Sequence, residues 1–161
     1  MLPDLIDLLA YQPAEAWQLP VNQFMRHALD NLEAGQHVYT HRANGKLLQY
    51  GWLIEPQEKK PSTVAVRGLM LPPDAVLLAN FYTSSQGQSL PRASLEQMLH
   101  DAAHLPGAKQ AYICVAVNND PLRAVVAALG FTYQYSWFEK NIFGSVTSWS
   151  TAPVPVRFIH I

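Results

Sequence analysis

The apolar positions in the first third of the chain change from a helical spacing to an alternating one. Between residues 21 and 32 they recur at every third or fourth position, which indicates an amphipathic α-helix that Gly35 ends. Residues 37–41 and 47–54 alternate between apolar and polar around Ala-Asn-Gly-Lys, a strong turn signal, and so predict a β-hairpin. A short helix over residues 3–10 is predicted to precede them.

The rest of the chain predicts strands that alternate with helices. Residues 75–83 form a continuous apolar run, typical of a strand buried on both faces, and the small polar segment 84–89 leads into a helical stripe over 90–104. We also predict strands over 63–71, 110–117 and 131–138, a helix over 121–129 that Gly130 ends, and two strands within the tail 145–161. This mixture of elements places the chain in the α/β (α+β) class.

Composition narrows the picture to one ordinary domain. The 161 residues are 49% hydrophobic, which is enough for a single domain, 1–161, with its own core. Eleven Lys and Arg against 12 Asp and Glu leave no basic excess, so we do not expect nucleic acid as a partner. No apolar run approaches the roughly 18 residues of a membrane span. Asp4 and Asp7 stand where a signal peptide needs positive charge, so we expect a cytoplasmic protein.

Metal and cysteine chemistry find little support in the sequence. The six histidines are scattered, and His100 with His104 is the only pair spaced by four, without the glutamate of a zinc-peptidase motif. We therefore predict no metal site. Cys114 is the only cysteine and lies within an apolar strand, so we expect it to be buried packing rather than a nucleophile.

The order of these elements resembles that of the GNAT acyltransferases, typified by acetyl-CoA-dependent N-acetyltransferases. In that family the fifth strand is followed by an Asn, a short helix and a Gly-Phe pair, and the segment from Asn119 to Gly130-Phe131 keeps this spacing. Many other α/β proteins also cap a helix with Asn and end it with Gly. The resemblance covers about residues 20–138. It implies a GNAT-like fold, a mixed, mostly antiparallel central sheet flanked by helices.

The polar segment 84–89 resembles the family's pyrophosphate loop in size and position. Gly87 matches the family pattern, whereas Ser84 and Ser89 replace the usual Arg or Gln and the last small residue. Backbone N–H groups that lead into a helix N-terminus bind anions without a basic side chain, although an ordinary turn capped by Ser89 explains the segment as well. The resemblance places acetyl-CoA or another acyl thioester on Phe81, Tyr82, Thr83, Ser84, Ser85, Gln86, Gly87, Gln88, Ser89 and Asn119.

A second resemblance concerns the N-terminal third. Residues 17–24 and the sequence Gln-Tyr-Gly-Trp at 49–52 resemble the start of the RTX toxin-activating lysine acyltransferases, which share a GNAT-like fold and use acyl carrier protein. Ala16 stands where that family has its catalytic histidine, so this resemblance supports the fold more than the chemistry. The implied donor is therefore acyl-CoA or acyl carrier protein.

The catalytic groups that the GNAT resemblance implies are only partly present. The family's proton donor is commonly a Tyr four residues before the Gly-Phe pair, and here that position is Val126. Tyr82, at the end of the central strand, is the first candidate to replace it, with Tyr133 and Tyr135 as alternatives. Asp74, directly before the central strand, is the candidate general base, although a Pro-Pro-Asp turn accounts for it equally well.

The sequence therefore predicts an N-acyltransferase that moves an acyl group from a thioester to an amine on a small molecule or a protein. The alternative is a GNAT-like binding or assembly module without catalysis, which Ser84, Ser89 and Val126 favour. The apolar, strand-like tail 154–161 is predicted to pair either with the sheet or with a second subunit, and the second alternative would make the protein a homo-oligomer.

Overall fold

Ten helices and strands make up the part of the chain that the computed structural model describes, residues 5–13, 18–56, 71–84, 92–142 and 144–151. In chain order they are α1 (Leu5–Leu8), α2 (Val21–Glu33), β1 (His37–Ala43), β2 (Lys46–Ile54), β3 (Ala75–Thr83), α3 (Arg92–Ala103), β4 (Gln110–Ile113), α4 (Asp120–Ala128), β5 (Trp137–Ile142) and β6 (Ser145–Ser150). None of the helices in these ranges has the length and hydropathy needed to cross a membrane.

The main sheet has four strands in the order β1-β2-β3-β4. The first three are antiparallel and β4 runs parallel to β3, so the predicted mixed, mostly antiparallel sheet flanked by helices is confirmed. The hairpin between β1 and β2 turns at Asn44 and Gly45, which both have positive φ, as a tight turn between twisted strands requires.

Both faces of this sheet are covered. Alternate residues of a strand point to opposite faces, so Trp52 enters the cluster under α1 and α2 while Leu53 enters the cluster under α3 and α4. Val76 and Leu78 of β3 are also fully buried on the side of α3 and α4. The prediction that β3 is buried on both faces is thus confirmed.

A β-bulge interrupts β3 opposite Gly51. Trp52 pairs with Ala79 and Tyr50 with Tyr82, so two residues of β3, Asn80 and Phe81, face the single Gly51. Asn80 has φ 54°, a left-handed conformation that Asn tolerates better than most residues. A bulge of this kind bends its strand and increases the local twist.

Gly51 is required by the close approach of the Phe81 ring. A Cβ atom at position 51 would lie 2.7 Å from both Cδ1 and Cε1 of that ring. We expect Gly51→Ala to lower the free energy of unfolding by about 1–3 kcal/mol in urea denaturation, because the ring must leave its packed position. In a Phe81→Leu background most of this loss should disappear. An equal loss in both backgrounds would show that the ring contact is not its cause.

Two strands in the last third have other bounds than predicted. The strand predicted over 110–117 ends at Ile113, because the chain leaves β3 after the Cys114 N–H donates to the carbonyl oxygen of Leu78 at 2.9 Å. Residues 131–136, predicted as strand, form none. The N–H of Phe131 instead donates to the carbonyl of Val126 and completes the end of α4. The strand begins only at Trp137 and pairs with β6 in a separate two-stranded sheet.

Several predictions fall outside the described residues. These are nearly all of the strand predicted over 63–71, the loop residues Ser85, Gln86, Gly87, Gln88 and Ser89, the positions Ala16 and Trp17, and the tail from residue 152 onward.

Candidate functional site

β3 and β4 separate halfway along the sheet. They pair only from Ala75 with Gln110 to Leu78 with Ile113. Beyond that point β3 continues to Thr83, paired with β2 alone, while the chain after β4 turns toward α4. The bulge at Asn80 and Phe81 lies within this stretch, which is not paired with β4, and it bends β3 where the two strands separate. The separation leaves an opening between the carboxyl ends of two neighbouring parallel strands.

A cavity of about 410 Å³ adjoins the end of β4. Its walls are β4 with the residues after it, one side of α4, and residues 131–137; we call it the β4 groove. Val126 lines it from α4, and Tyr133 and Tyr135 line it from the segment after Gly130. The groove therefore contains Val126, the position at which the sequence resemblance implies a tyrosine, together with two tyrosines from elsewhere in the chain.

The Tyr135 hydroxyl makes no hydrogen bond to any described residue in this groove. The side chain is partly buried, and its hydroxyl has no hydrogen-bond partner within the described ranges. Burial raises the pKa of the Tyr135 phenol, and the nearby Cys114 thiol raises it further. Tyr135 is therefore a protonated donor throughout the neutral pH range.

Tyr133 differs from Tyr135 in its hydrogen bonding and in the direction of its pKa shift. Its hydroxyl lies 2.9 Å from Oγ of Ser136, within hydrogen-bonding distance, and 65% of the side chain is exposed. Hydrogen bonds from Ser136 and then Thr151 lower the pKa of the Tyr133 phenol. These bonds tie the Tyr133 hydroxyl to the start of the β5–β6 sheet.

Cys114 is exposed at the end of β4 and lines the β4 groove, so the prediction that it is buried is wrong. The reason is that β4 ends at Ile113, one residue earlier, and leaves Cys114 beyond the sheet. Protein atoms around the sulfur exclude part of the solvent and raise the pKa of the Cys114 thiol. The reactive thiolate is scarce at neutral pH, as expected of a cysteine that is not a nucleophile.

Tyr82 lies away from the β4 groove. It is 6% exposed and packs in an aromatic cluster with Tyr11 and Tyr50, where its ring stacks on that of Tyr50 at 5.2 Å. Its hydroxyl donates to the carbonyl oxygen of Gln12 at 3.1 Å. Burial raises the pKa of the Tyr82 phenol. The hydrogen bond and the packing both hold this hydroxyl in the core under α1.

Asp74 stands at the opposite end of the central strand. It immediately precedes β3, and its carboxylate lies 4.0 Å from Nζ of Lys109, whose side chain is exposed. The strand between Asp74 and Tyr82 extends for roughly 26 Å at the usual rise per residue. The structure therefore does not bring the two predicted catalytic residues into one site.

The other predicted cofactor-binding residues of β3 lie near its carboxyl end. Phe81 forms part of the bulge, and Thr83 pairs with Gln49 at the last position of the strand. The N–H of Ser84 donates to the carbonyl oxygen of Leu48 at 2.8 Å. Its hydroxyl oxygen is buried and has no partner among the described residues.

Asn119 begins α4 as a capping residue. Its side-chain oxygen accepts a hydrogen bond from the N–H of Leu122 at 3.2 Å, and Pro121 occupies the first turn. The capping alternative for Asn119 is therefore confirmed. A cofactor contact would have to use the side-chain NH₂ group or the backbone.

Loss of this cap has a measurable cost. We expect Asn119→Ala to lower the free energy of unfolding by about 1 kcal/mol in urea denaturation, because the Leu122 N–H loses its acceptor. Asn119→Ser, which supplies another capping oxygen, should restore most of the stability. If Ala and Ser were equally destabilising, the cap would not be the source of the loss.

A second cavity, which the sequence did not predict, lies between α2 and the strands β2 and β3. It has a volume of about 210 Å³, and we call it the α2 pocket. The predicted stripe on α2 includes Val21 and Leu29, yet both are nearly half exposed, and the buried residues are Phe24, Ala28 and Asn31. The inward face is therefore rotated toward Asn31, a polar residue that a purely apolar pattern overlooks.

The described residues contain no group of three or more His, Cys, Asp or Glu side chains arranged to hold a metal ion.

Comparison with known proteins adds structural relatives but no sequence relatives. No protein-family model matches the chain, and no curated protein matches it significantly. The yncA protein of Salmonella typhimurium, a proposed acetyltransferase solved with its cofactor acetyl-CoA, matches with a TM-score of 0.57 at 16% identity over 97% of both chains. The ribosomal-protein-alanine N-acetyltransferase of Brucella melitensis matches with a TM-score of 0.52 at 14% identity over 91% of this chain and 88% of that one. The chain thus has the GNAT fold that its sequence resemblance implies.

Proposed function

We propose that the protein is an acyltransferase that moves an acyl group from a thioester, acyl-CoA or acyl carrier protein, to an amine. The observation that carries this proposal is the separation of β3 and β4 after Leu78 and Ile113, beside the β4 groove. Strands that part in this way leave backbone N–H and C=O groups to which an extended, amide-containing pantetheine arm can bind as an added strand. The fold shared with a protein solved with acetyl-CoA supports the same donor.

The transfer needs three things from the protein. The amine nitrogen attacks the thioester carbonyl carbon, a C–N bond forms and the C–S bond breaks, and the amine loses a proton as the thiolate gains one. A backbone N–H at the opening of β3 can stabilise the negative charge on the carbonyl oxygen. The remaining requirement is a proton donor for the sulfur.

Tyr135 is the donor that we assign to the thiolate. It lines the same groove as Val126, where the family's tyrosine would stand, and its hydroxyl is free of other bonds among the described residues. Tyr82, the first choice from the sequence, has its hydroxyl bonded to Gln12. The β4 groove therefore contains a phenol from Tyr135, although α4 has Val126 in place of a tyrosine. This favours an enzyme over a module without catalysis.

We assign the phosphates of a coenzyme A donor to residues 84–89. Together with residues 90 and 91, this segment joins the end of β3 at Thr83 to the start of α3 at Arg92, so it leads from a strand toward a helix N-terminus. Such a loop offers backbone N–H groups and the positive end of a helix dipole to an anion.

Calorimetric titration with acetyl-CoA, a long-chain acyl-CoA and an acylated acyl carrier protein tests the proposal. We expect saturable binding of one of these donors, followed by thiol release that depends on added amine. Absence of binding for all three would refute a thioester-binding protein. Tight binding without amine-dependent thiol release over a broad panel of amines would refute the acyltransferase and favour the binding module.

A further inference from the structure

The β4 groove has more room than an acetyl group needs. Its volume is about 410 Å³, and at about 30 Å³ for each small group it accommodates roughly 14 non-hydrogen atoms. An acetyl group would leave most of this space empty, whereas an octanoyl group with its thioester sulfur would occupy most of it. The volume therefore favours an acyl chain of medium length.

Most of the surface of the β4 groove is apolar. β4 and the residues after it contribute the aliphatic side chains of Ile113 and Val115, and α4 contributes those of Val126 and Ala127. The wall formed by residues 131–137 carries most of the polar side chains of the described lining, among them Tyr135. A hydrocarbon chain along β4 and α4 would lose its contact with water, while a thioester sulfur beside Tyr135 would meet a hydrogen-bond donor.

The single charged side chain among the described lining residues already has partners. Nη1 of Arg123 donates to the carbonyl oxygen of Val117 at 3.2 Å and lies 3.1 Å from a carboxylate oxygen of Asp120. A carboxylate at the end of an acyl chain would meet the negative charge of Asp120 beside this guanidinium. The groove therefore favours an uncharged chain.

Two small side chains on α4 provide this space. The sequence resemblance implies a tyrosine at position 126, and Val126 is much smaller than a side chain that bears a phenol. Ala127, the next residue, also lines the groove. The phenol that we assign to the departing sulfur comes from Tyr135, so α4 does not have to supply it. The space that a tyrosine on α4 would fill is left to the ligand.

We propose that the β4 groove binds the acyl chain of the donor and selects an uncharged chain of about eight carbons over an acetyl group. This inference rests on the proposed acyltransferase function. The thioester sulfur lies beside Tyr135, and the hydrocarbon chain extends over Val126 and Ala127 along the β4 wall. The length of chain that fits the groove then decides which thioester the protein binds.

Calorimetric titration with a series of acyl-pantetheines tests the chain length. Pantetheine is the arm that coenzyme A and acyl carrier protein share, so the series applies to either carrier. From acetyl to octanoyl we expect each added methylene to tighten binding about threefold to fourfold, so that octanoyl-pantetheine binds about 100-fold or more tightly than acetyl-pantetheine. Dodecanoyl-pantetheine should bind no more tightly than octanoyl-pantetheine, because its last carbons lie beyond the groove.

The outcomes of this titration separate the chain-length proposal from the acyltransferase proposal. Equal affinities for acetyl-pantetheine and octanoyl-pantetheine would overturn the first and leave the second intact. A gain that continues to dodecanoyl-pantetheine would also overturn the first, because the groove would then set no limit. If no acyl-pantetheine, acyl-CoA or acyl carrier protein binds, the acyltransferase proposal itself is refuted.

NMR locates the chain within the protein. Trp137 lines the groove, so its indole N–H resonance should shift with octanoyl-pantetheine and not with acetyl-pantetheine. Binding of octanoyl-pantetheine without a shift at Trp137 would place the chain elsewhere and overturn the proposal.

Ala127→Leu and Ala128→Leu form a matched pair of variants on α4. Both alanines are exposed, but only Ala127 lines the groove, and leucine suits a helix nearly as well as alanine. We expect Ala127→Leu to weaken octanoyl-pantetheine by about tenfold or more and acetyl-pantetheine less than about twofold, because the added carbons fill space that the chain needs. Ala128→Leu should change neither affinity. Equal effects of the two variants on octanoyl-pantetheine would overturn the proposal. If Ala127→Leu fails to fold, Ala127→Val, which adds less volume, must show the same selective loss for the proposal to stand.

Discussion

Replacing Tyr135 with phenylalanine is expected to lower kcat for acyl transfer by about 100-fold, while the affinity for the acyl thioester changes less than twofold. The ring remains in the β4 groove, so only the proton donated to the departing sulfur is lost. A positioned acid typically contributes between about 100-fold and 10,000-fold, and a thiolate is a tolerable leaving group, so the lower end is expected. Steady-state thiol release at saturating amine measures the change.

Tyr82→Phe is the matched control, because it removes a phenol from the same protein outside the groove. Its hydroxyl bonds to Gln12, so we expect kcat within about twofold of the parent and a loss of about 1 kcal/mol in unfolding free energy. A tenfold loss in Tyr82→Phe together with an unaffected Tyr135→Phe would instead support the assignment made from sequence.

The pH dependence supplies an independent check on Tyr135. Burial and Cys114 raise the pKa of its phenol above the ordinary tyrosine value, so the acid stays protonated to higher pH than a free tyrosine. The alkaline loss of kcat that this acid causes should therefore begin above about pH 10, and Tyr135→Phe should abolish that limb. A limb retained in the variant would belong to another group.

Local sequence patterns predicted the helices and strands whose positions depend on backbone geometry or on burial. Asn44 and Gly45 supply the two positive φ angles of the hairpin turn, so the turn and the strands on each side could be read directly. The apolar run 75–83 is typical of a strand buried on both faces, and the structure buries it on both faces. Asn119 and Gly130 mark the two ends of α4 because each satisfies backbone groups that a helix leaves unpaired.

The incorrect predictions have a different physical origin. Each concerns a residue whose environment depends on a segment that is distant in the sequence but adjacent in the fold. Residues 131–138 were predicted as a strand, yet the N–H of Phe131 completes α4, and the N–H of Ser136 donates to Thr151, fifteen residues along the chain. The exposure of Cys114 follows from the point where β4 leaves β3, which no local pattern encodes. Asn31 could have been suspected from its position seven residues after Phe24, on the same helix face.

The two predicted catalytic residues, which lie at opposite ends of β3, show the same limit of local sequence patterns. Asp74 directly precedes the central strand and Tyr82 lies near its other end, and an extended strand places its two ends far apart. The groove tyrosines come from a segment without regular structure, and only the fold brings that segment beside Val126. Residue types therefore suggested the chemistry, while the identity of the proton donor required the structure.

Placing a carboxylate in the segment 84–89 is expected to weaken coenzyme A binding strongly. Gly87→Asp should weaken coenzyme A binding by about 100-fold in calorimetry. At roughly 6 Å and an effective dielectric constant near 20, one added negative charge repels one phosphate charge by about 3 kcal/mol, which corresponds to about 100-fold in affinity. Higher ionic strength should reduce the loss, because solvent ions screen exposed charges.

Gly87→Asn separates charge from size, because its side chain has the shape of Asp without the charge. We expect it to weaken coenzyme A much less than Gly87→Asp does, and the difference between the two variants measures the electrostatic part. Acetyl-pantetheine, which lacks the nucleotide and its phosphates, should bind the parent and both variants alike, since only the phosphates meet the loop. If Gly87→Asp bound coenzyme A as tightly as the parent, the phosphates would lie elsewhere. If acetyl-pantetheine lost affinity in parallel, the substitution would act on the pantetheine site or the fold rather than on phosphate recognition.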